Sequence, residues 1–534
     1  MAGQPHKSES MKNNALRRDA GPIGLLLASV GGMIGSGWLF GALNAAKIAG
    51  PAAMISWVIG GGAVLLLAFV YAELSTMFPK PGAVIVFPQL CFGDLAAQIM
   101  SWINFLAYVV IAPVEAVAIT SYAANFVPGL ENADTGTLSD TGLIMAAGLM
   151  ALFLLINLFA IRLVLFLNNI ITWWKLAIPV LTVIMLILVH FRGANFQQFG
   201  FAPNGIGGVL QAVPASGILF SFLGFRQAIE LAGESANPQR NLPFAILGSV
   251  LLCLALYLAL QLAFIGALQP GHLAQGWGKL EFPGITGPFA GLATLAGLPW
   301  LATLLYADAA ISPGGTGVIY STAAARVLYA TAEAGLMPGY FAGATRSGVP
   351  VRSLGLAFFA GLIFLLPLPS WRLLVGYISS IGVLAYGVGP VVLFCFRRTL
   401  PEQEFIRPFR LAKAWLIAPL AFIVSNLAVF WAGASITNHL FGGLLVVFIL
   451  YCLWQWRRQG TLRHLNWRGA AWMPAYFGGL WLITLAGPLH GLGLLGNLSG
   501  AIAIALFSIA ILAIARSCAL PDPVTAKARF GLLN

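Results

Sequence analysis

Charged residues are scarce in this chain. Asp, Glu, Lys and Arg make up only 8% of its 534 residues, whereas ordinary soluble domains contain about 25%. The hydrophobic fraction is 59%, and a soluble fold could not keep that much apolar surface away from water. A bilayer removes the difficulty, because lipid is itself an apolar solvent. The composition therefore excludes a soluble protein and predicts an integral membrane protein.

The chain also lacks the patterns of the common catalytic and metal sites. Its five cysteines are scattered without a CxxC pair, and its six histidines are equally dispersed. It contains no HExxH motif, no Gly-rich phosphate loop and no GxSxG motif. We therefore expect no metal and no cofactor. The net charge of +12 does not indicate a nucleic-acid partner, because the basic residues form short clusters between apolar runs.

Long apolar segments are abundant. A membrane-spanning helix needs about 20 mostly apolar residues. Fourteen segments fit that template, at about residues 22–46, 51–73, 98–127, 141–160, 166–190, 209–233, 242–266, 293–330, 353–369, 373–396, 414–434, 437–456, 470–487 and 491–515. The sequence thus predicts an all-α polytopic membrane protein with about 14 spans and the lipid bilayer as its surroundings.

Basic residues predict the orientation of these spans. With the N-terminus in the cytoplasm, the inward loops hold fourteen Lys and Arg residues, and the outward loops hold only Arg192, Lys279 and Arg372. The acidic segment 131–140 also lies outside in this arrangement. We therefore expect a multipass plasma-membrane protein with cytoplasmic tails at residues 1–20 and 516–534.

Two spans carry glycine near their centres. The first contains Gly31–Gly37 and the sixth contains Phe220–Phe225. Glycine weakens a helix and frees backbone groups to face a ligand. The first and sixth spans are equivalent positions if two five-helix halves repeat. A pair of broken spans at matching positions is typical of a transporter binding site.

These segments resemble the amino acid–polyamine–organocation (APC) superfamily of permeases. Ile34–Gly37 resembles the first-helix signature of that family, and the stretch from Phe220 to Arg240 resembles its sixth helix and following loop. The stretch from Ser312 to Pro338 resembles the eighth helix. Tyr71–Leu74, followed by Pro79–Gly82, is also similar to the family. The resemblance runs from about residue 21 to residue 400.

The resemblance implies a LeuT-like fold. Two inverted five-helix repeats, at residues 21–190 and 209–396, would surround a site at the membrane midplane, with extra helices at residues 410–515. Members are mostly amino-acid symporters or exchangers, and some similar ones transport aspartate with a proton. We therefore expect an amino-acid importer driven by proton symport, with an exchanger of the same fold as the alternative.

Two other classes of membrane protein are less compatible with the sequence. A membrane-embedded enzyme would need a clustered nucleophile, metal ligands or paired acids. A channel would need a repeated pore-loop filter. Neither pattern is visible in the chain.

The first break supplies candidate ligands for the substrate's α-carboxylate, at Met33, Gly35, Ser36 and Gly37. If the helix restarts here, free N–H groups lie at a new helix N-terminus, which is an anion site. Close helix packing through small residues is the alternative.

The second break supplies Phe220, Ser221, Phe222 and Gly224. Carbonyl groups left unpaired near Phe220, Ser221 and Phe222 would accept hydrogen bonds from the substrate's ammonium group. Phe220 or Phe222 would cover the site as a gate. Core or lipid packing is the alternative reading of any one Phe, because the chain has 36 of them.

Lys175 is the candidate for proton coupling. It lies early in the fifth span, where burial destabilises its charged form. The family resemblance adds that proton-coupled relatives carry a lysine at a similar place, where sodium-coupled relatives bind an ion. Snorkelling of the side chain to the cytoplasmic face is the alternative.

Arg226 directly follows the second break. Its guanidinium fits a carboxylate, and some relatives that carry cationic substrates have an acidic residue near this place. Arginine here therefore predicts an acidic substrate such as aspartate or glutamate. The alternative is that Arg226 forms a structural ion pair with Glu230, Asp308 or Glu115. Asp308 and Glu115 are acids within the membrane, and we favour for both a structural pairing with Arg226 or Lys175.

Overall fold

The structure is a computed structural model that describes residues 19–520, apart from 80–82, 133–134, 160, 283–286, 334, 346–347, 368, 404 and 463–464. Most of the predicted tails at residues 1–20 and 516–534 lies outside this part of the chain, as do residues 80–82 of the family-like Pro79–Gly82 segment. The strands in the described part form one small antiparallel hairpin, in which β1 (Glu131–Asn132) pairs with β2 (Thr137–Leu138).

The rest of the regular structure is helical. The α-helices in chain order are α1 Pro22–Met33, α2 Ser36–Ala49, α3 Ala53–Met77, α4 Ala83–Phe92, α5 Asp94–Val109, α6 Ile111–Ala123, α7 Asp140–Phe159, α8 Ile161–His190, α9 Gly205–Ala215, α10 Ile218–Phe222, α11 Gln227–Glu230, α12 Pro238–Ala267, α13 Pro288–Leu295, α14 Pro299–Glu333, α15 Val351–Leu365, α16 Trp371–Thr399, α17 Ala414–Ala432, α18 Ala434–Gln459, α19 Trp467–Ala470, α20 Trp472–Leu485 and α21 Asn497–Cys518.

The number of membrane spans supported by length and composition is lower than fourteen. Among the described residues, nine helical segments are long and apolar enough to cross a bilayer, and a tenth is added if the bent pair α9 and α10–α11 is one span. Each of the fourteen predicted segments overlaps a helix. However, α1 and α15 are only 12 and 15 residues long, which is less than the roughly 20 residues a spanning helix needs.

Burial separates central spans from peripheral ones. The apolar window of the α5–α6 segment is 100% buried inside the protein and that of α16 is 94% buried. The corresponding share is 28% for α7, 22% for α18 and 33% for α21. The peripheral helices therefore present most of their apolar surface to lipid, and α5, α6 and α16 pack around the centre.

The two glycine-rich spans are interrupted, as the sequence predicts. Helix α1 ends at Met33, and Ile34 and Gly35 leave the helical conformation before α2 begins. The sixth span bends by 48° between α9 and α10, where Gly217 has a φ of +93° that glycine adopts without strain. A 3-10 turn at Leu223–Arg226 then interrupts it a second time.

The interruptions of the two spans contact each other directly. A Cβ atom placed on Gly224 would lie 2.2 Å from the carbonyl carbon of Gly32 and 2.3 Å from the backbone nitrogen of Met33. No side chain fits that space, so glycine at position 224 is what permits the two backbones to pack together. This contact places the ends of α1 and the 3-10 turn of the sixth span side by side.

Candidate functional site

The N-terminus of α2 faces a buried carboxylate. The backbone N–H of Ser36 donates to Oε2 of Glu115 at 2.9 Å, and the Glu115 side chain, from α6, is fully buried. A helix N-terminus stabilises negative charge through its free N–H groups and its dipole. The sequence predicts an anion at this N-terminus, and the structure shows that the protein's own carboxylate lies there.

Lys175 belongs to α8, and its side chain reaches the end of α1, beside the same break. Its Nζ donates to the carbonyl oxygen of Gly31 at 2.9 Å and to Oγ1 of Thr316 at 2.6 Å. The Lys175 side chain is completely buried, so it does not extend to the membrane surface as the snorkelling alternative requires. Gly31 belongs to the last turn of α1, the negative end of the helix dipole, which stabilises the ammonium group.

Gly35 lies against the Glu115 carboxylate and the Thr316 hydroxyl. A Cβ atom placed on Gly35 would lie 2.5 Å from Oε1 of Glu115 and 3.0 Å from Oγ1 of Thr316. The carboxylate and the hydroxyl that accepts from Lys175 therefore both approach the break at Gly35. A side chain at this position would displace one of them, which explains why the break carries a glycine.

Asp308 belongs to a separate polar cluster on α14. It accepts hydrogen bonds from Nε1 of Trp174 at 2.9 Å and from the hydroxyl of Ser312 at 2.5 Å. Its Oδ2 atom has no hydrogen-bond partner among the described residues. Within the described part of the chain, no ion pair of 4.0 Å or less joins Asp308 to Lys175 or Arg226.

Two of the backbone carbonyls at the sixth-span break have partners within the protein. The carbonyl of Phe220 accepts from the N–H of Leu223. The hydroxyl of Tyr257, on α12, lies 3.1 Å from the carbonyl oxygen of Ser221 and 3.0 Å from that of Met33 in the first span, so these two oxygens share one hydroxyl donor. The carbonyls of Phe220 and Ser221 are thus paired, in contrast to the sequence-based expectation. Each carbonyl keeps a second lone pair for a ligand.

Aromatic rings cover the first turn of α2. Trp371, the first residue of α16, donates from Nε1 to the hydroxyl of Ser36 at 2.8 Å. Its ring centroid lies 6.3 Å from that of Phe220 and 5.0 Å from that of Phe40. A Cβ atom on Gly37 would lie 3.3 Å from the Phe220 ring. Phe220 therefore packs over the small residues at the start of α2, whereas Phe222 packs deeper, 5.3 Å from the ring of Tyr257.

Arg226 is held by aromatic rings instead of by a carboxylate. Its guanidinium carbon lies 3.3 Å from the ring centroid of Tyr108 and 5.1 Å from that of Tyr386. Its Nη1 donates to Oδ1 of Asn104 at 3.1 Å. Among the described residues no ion pair of 4.0 Å or less involves Arg226. The Tyr108 hydroxyl donates to Glu230 at 2.9 Å, so Tyr108 contacts both charged side chains.

The predicted charge partners are therefore not joined as direct ion pairs. The ring of Tyr108 lies against the Arg226 guanidinium, and this cation–π contact stabilises the charge without an ion pair to a described carboxylate. Glu115 bonds to a backbone amide, and Glu230 bonds to a phenol. The three acids thus lie in three different environments around the two breaks.

Several residues of the site were not predicted from the sequence, among them Tyr108, Tyr257, Thr316 and Trp371. Tyr257 is one of a few polar residues within the apolar α12, and Thr316 lies in the family-like stretch from Ser312, so the sequence weakly indicated both. It did not indicate Tyr108 or Trp371, because aromatic residues are common throughout the spans.

The described part of the chain offers no candidate metal centre. No group of three or more His, Cys, Asp or Glu side chains in it is arranged to hold a metal ion.

Comparison with known proteins gives one consistent family. Residues 21–454 match the family described as amino acid permease. A glutamate/serine transporter, AimA, of Bacillus subtilis is 37% identical over 483 residues, which are 89% of this chain and 88% of that protein. An aspartate-proton symporter of the same organism is 34% identical over 505 residues, 93% of this chain and 96% of its own. A branched-chain amino acid permease, BcaP, also of Bacillus subtilis, is 30% identical over 61% of this chain and 69% of its own length.

Proposed function

Because the chain belongs to the amino acid permease family, we propose that it imports amino acids across the plasma membrane together with protons. Acidic amino acids are the proposed preferred substrates. The relatives named for glutamate and serine and for aspartate and protons support this choice. The family is one of transporters and not of enzymes. The observation that carries the coupling proposal is the bond between Glu115 and the N-terminus of α2.

The proposed architecture is the LeuT-like one, with inverted repeats at residues 21–190 and 209–396, about fourteen spans and a cytoplasmic N-terminus. The interruptions in the first and sixth spans, packed against each other through Gly224, support a repeat of five helices. Helices α17 to α21, within residues 410–515, are proposed as additions to that core. The excess of basic residues in the inward loops supports the orientation.

The substrate's α-carboxylate is proposed to bind the amides of Ser36 and Gly37. In the structure the Ser36 amide already donates to Glu115, so the substrate and the side chain compete for one donor. Two adjacent carboxylates repel each other strongly in a low-dielectric site. A proton on Glu115 removes this repulsion and converts the side chain into a hydrogen-bond donor. Amino acid and proton therefore bind together, which is the requirement for symport.

Lys175 is proposed to couple this protonation to the movement of α1. The Glu115 carboxylate and the Thr316 hydroxyl that accepts from the Lys175 ammonium group both approach Gly35, so an ionised Glu115 and Lys175 compensate each other in the empty site. Once Glu115 is neutral, the buried ammonium group of Lys175 loses that compensation, which makes its position against the Gly31 carbonyl less stable. The end of α1 then becomes less firmly held, and the conformational change that releases the substrate inside becomes easier.

Arg226 is the proposed partner for an acidic side chain of the substrate. It stacks on Tyr108, which precedes Glu115 by seven residues, a separation of about 10 Å along helices with a rise of 1.5 Å per residue. Glutamate or aspartate held at α2 reaches the guanidinium only if Arg226 moves toward the break. Asn104 and the two tyrosines hold Arg226 without a carboxylate, so it is able to exchange these contacts for a charged one.

Transport in proteoliposomes tests the proposal. Labelled aspartate should accumulate when an inward proton gradient is applied, and uptake of aspartate into unbuffered liposomes should carry protons inward. Exchange of internal for external aspartate without a net proton flux would favour the exchanger alternative. Accumulation that is indifferent to the proton gradient would refute symport with protons.

A further inference from the structure

A basic cavity lies where three spanning helices end. It has a volume of about 690 Å³ and is bounded by the C-terminal end of α16, the segment leading into α17 and the last turn of α21. Five cationic side chains line it: Arg397, Arg398, Arg410, Lys413 and Arg516. This cavity, here called the basic cavity, is separate from the broken spans and is not used in the proposed transport mechanism.

Part of the basic cavity is rigidly built. Arg397 donates to the fully buried Glu73 at 2.6 Å and to the carbonyl of Leu411 at 3.0 Å. Arg407 approaches the other oxygen of Glu73 at 2.9 Å. Glu73 also accepts from the backbone N–H of Leu411 at 2.8 Å. The segment between α16 and α17 is thereby fastened to α3, so the cations on it are held in place around the cavity.

Three of the remaining cations have no counter-ion among the residues that the structure describes. In the described part of the chain, no ion pair of 4.0 Å or less involves Arg398, Lys413 or Arg516. Arg410 pairs with Glu402 at 3.1 Å. Lys413 has a left-handed backbone, with a φ of 54°, which is uncommon outside glycine and asparagine. Like charges converging on one cavity repel each other, and a bound anion removes that repulsion.

We propose that the basic cavity binds a phosphate-bearing ligand, and specifically the headgroup of an anionic phospholipid. Guanidinium groups match the geometry of phosphate oxygens, and basic pockets at the ends of spanning helices suit lipid headgroups. Trp415 lines the cavity and is 72% exposed, and the neighbouring Leu416 is 41% exposed. Exposed Trp and Leu at the end of a spanning helix lie at the boundary between headgroups and acyl chains, which favours a lipid over a soluble phosphate. Such a ligand would join Arg516 on α21 to the end of α16.

Native mass spectrometry of the full-length protein in detergent tests the proposal. Phosphatidylglycerol and phosphatidylcholine are added separately, and the lipid retained by the folded protein is counted. The variant combines Arg398→Gln, Lys413→Gln and Arg516→Gln. The control combines Arg457→Gln and Arg458→Gln, which remove a basic pair from the end of α18, outside the cavity lining. Because cations near an anionic headgroup contribute additively, we expect at least tenfold weaker retention of phosphatidylglycerol in the triple variant and wild-type retention in the control.

A second experiment distinguishes a lipid headgroup from a soluble phosphate compound as the ligand. Stabilisation against heat is measured with phosphatidylglycerol and with glycerol phosphate, in the wild type and in the triple variant. Stabilisation by the lipid alone, lost in the triple variant, supports a headgroup site. Equal stabilisation by glycerol phosphate, also lost in the triple variant, supports the phosphate site but assigns it to a soluble ligand. Equal retention of phosphatidylcholine and phosphatidylglycerol, or an unaffected triple variant, overturns the proposal. The single variant Arg516→Gln changes an exposed position. It is measured in the same way, so that a folding defect in the triple variant is not mistaken for loss of the site.

Discussion

Replacement of Glu115 by glutamine is the sharpest test of the proposed coupling. Glu115→Gln preserves the shape of the side chain and leaves it permanently neutral, as the proposed substrate-bound state requires. In the proposed mechanism, each substrate binds together with a proton on Glu115, and that proton comes from a supply that becomes more dilute as the pH rises. Wherever the empty site lacks this proton, the apparent Kd should rise about tenfold per pH unit, or about 1.4 kcal/mol.

The unfolding free energy of the Glu115→Gln variant does not test the proposed coupling. Glu115→Gln keeps an oxygen that accepts from the Ser36 amide, but it loses the charge that strengthens this bond, and hydrogen bonds to charged groups contribute about 1.5–3 kcal/mol. It also removes a buried charge whose desolvation costs several kcal/mol. Since these effects oppose each other, the net change in unfolding free energy has no predictable sign. The slope of the Kd against pH depends on neither effect, because it reports only the number of protons bound with the substrate.

Binding of labelled aspartate to purified protein between pH 5 and pH 8, a window of a few units around neutrality, supplies that slope. We expect Glu115→Gln to bind aspartate with a Kd that no longer varies with pH, and to lose accumulation driven by a proton gradient. Asp308→Asn is the matched control, because Asp308 is an equally buried carboxylate bonded to Trp174 and Ser312. A wild-type slope in Glu115→Gln would refute the mechanism, and loss of the slope in Asp308→Asn alone would transfer the role to that residue.

The remaining predictions concern neighbouring parts of the site and the topology. Lys175→Ala removes the two bonds to the Gly31 carbonyl and the Thr316 hydroxyl and should abolish proton-driven accumulation but leave aspartate exchange; normal accumulation would show that Lys175 is not the coupling residue. Gly35→Ala places a Cβ atom 2.5 Å from the Glu115 carboxylate and should lower unfolding free energy by about 1–3 kcal/mol, whereas Gly24→Ala in α1, where a Cβ meets nothing within 4 Å, should not. Arg226→Ala should weaken aspartate binding more than tenfold, about 1.4 kcal/mol or more, and serine binding less; equal losses would make Arg226 a structural residue. Arg457→Cys, in a chain whose five native cysteines are replaced, should not react with an impermeant thiol reagent from outside, and external labelling would contradict the proposed orientation.

Hydropathy predicts where helices lie because bilayer thickness dictates the length of an apolar run. It does not detect turns between two apolar segments. One span is predicted at 293–330, but the structure has α13 and α14 there, separated by a turn in which Gly297 has a φ of +74°. The breaks in the first and sixth spans were partly accessible from sequence. The glycine cluster in the first span predicted the break at Gly35. In the sixth span, the 3-10 turn at Leu223–Arg226 overlaps the predicted segment Phe220–Phe225, but the bend at Gly217 lies before it and was not predicted.

The partners of the charged site residues were not accessible in this way. Glu115, Glu230 and Asp308 are equivalent in a linear sequence, because each is an acid within or beside an apolar run. Only the packing of α6 against the start of α2 distinguishes Glu115, by bringing its carboxylate to the Ser36 amide. The pairing of charges also failed as a guide to Arg226, since an aromatic face stabilises a cation without any signature in sequence spacing.

The charges around the breaks bear on the choice of substrate in the proposed mechanism. The mechanism takes Glu115 as ionised in the empty site, where it offsets Lys175, and Arg226 adds one positive charge without an ion pair to a described carboxylate. Binding of aspartate, with net charge −1, together with one proton adds no net charge to this buried region. Binding of a neutral amino acid with one proton adds a full positive charge beside two existing cations. Because extra charge is expensive within the membrane, the same proton that makes room for the α-carboxylate at α2 favours acidic substrates over neutral ones.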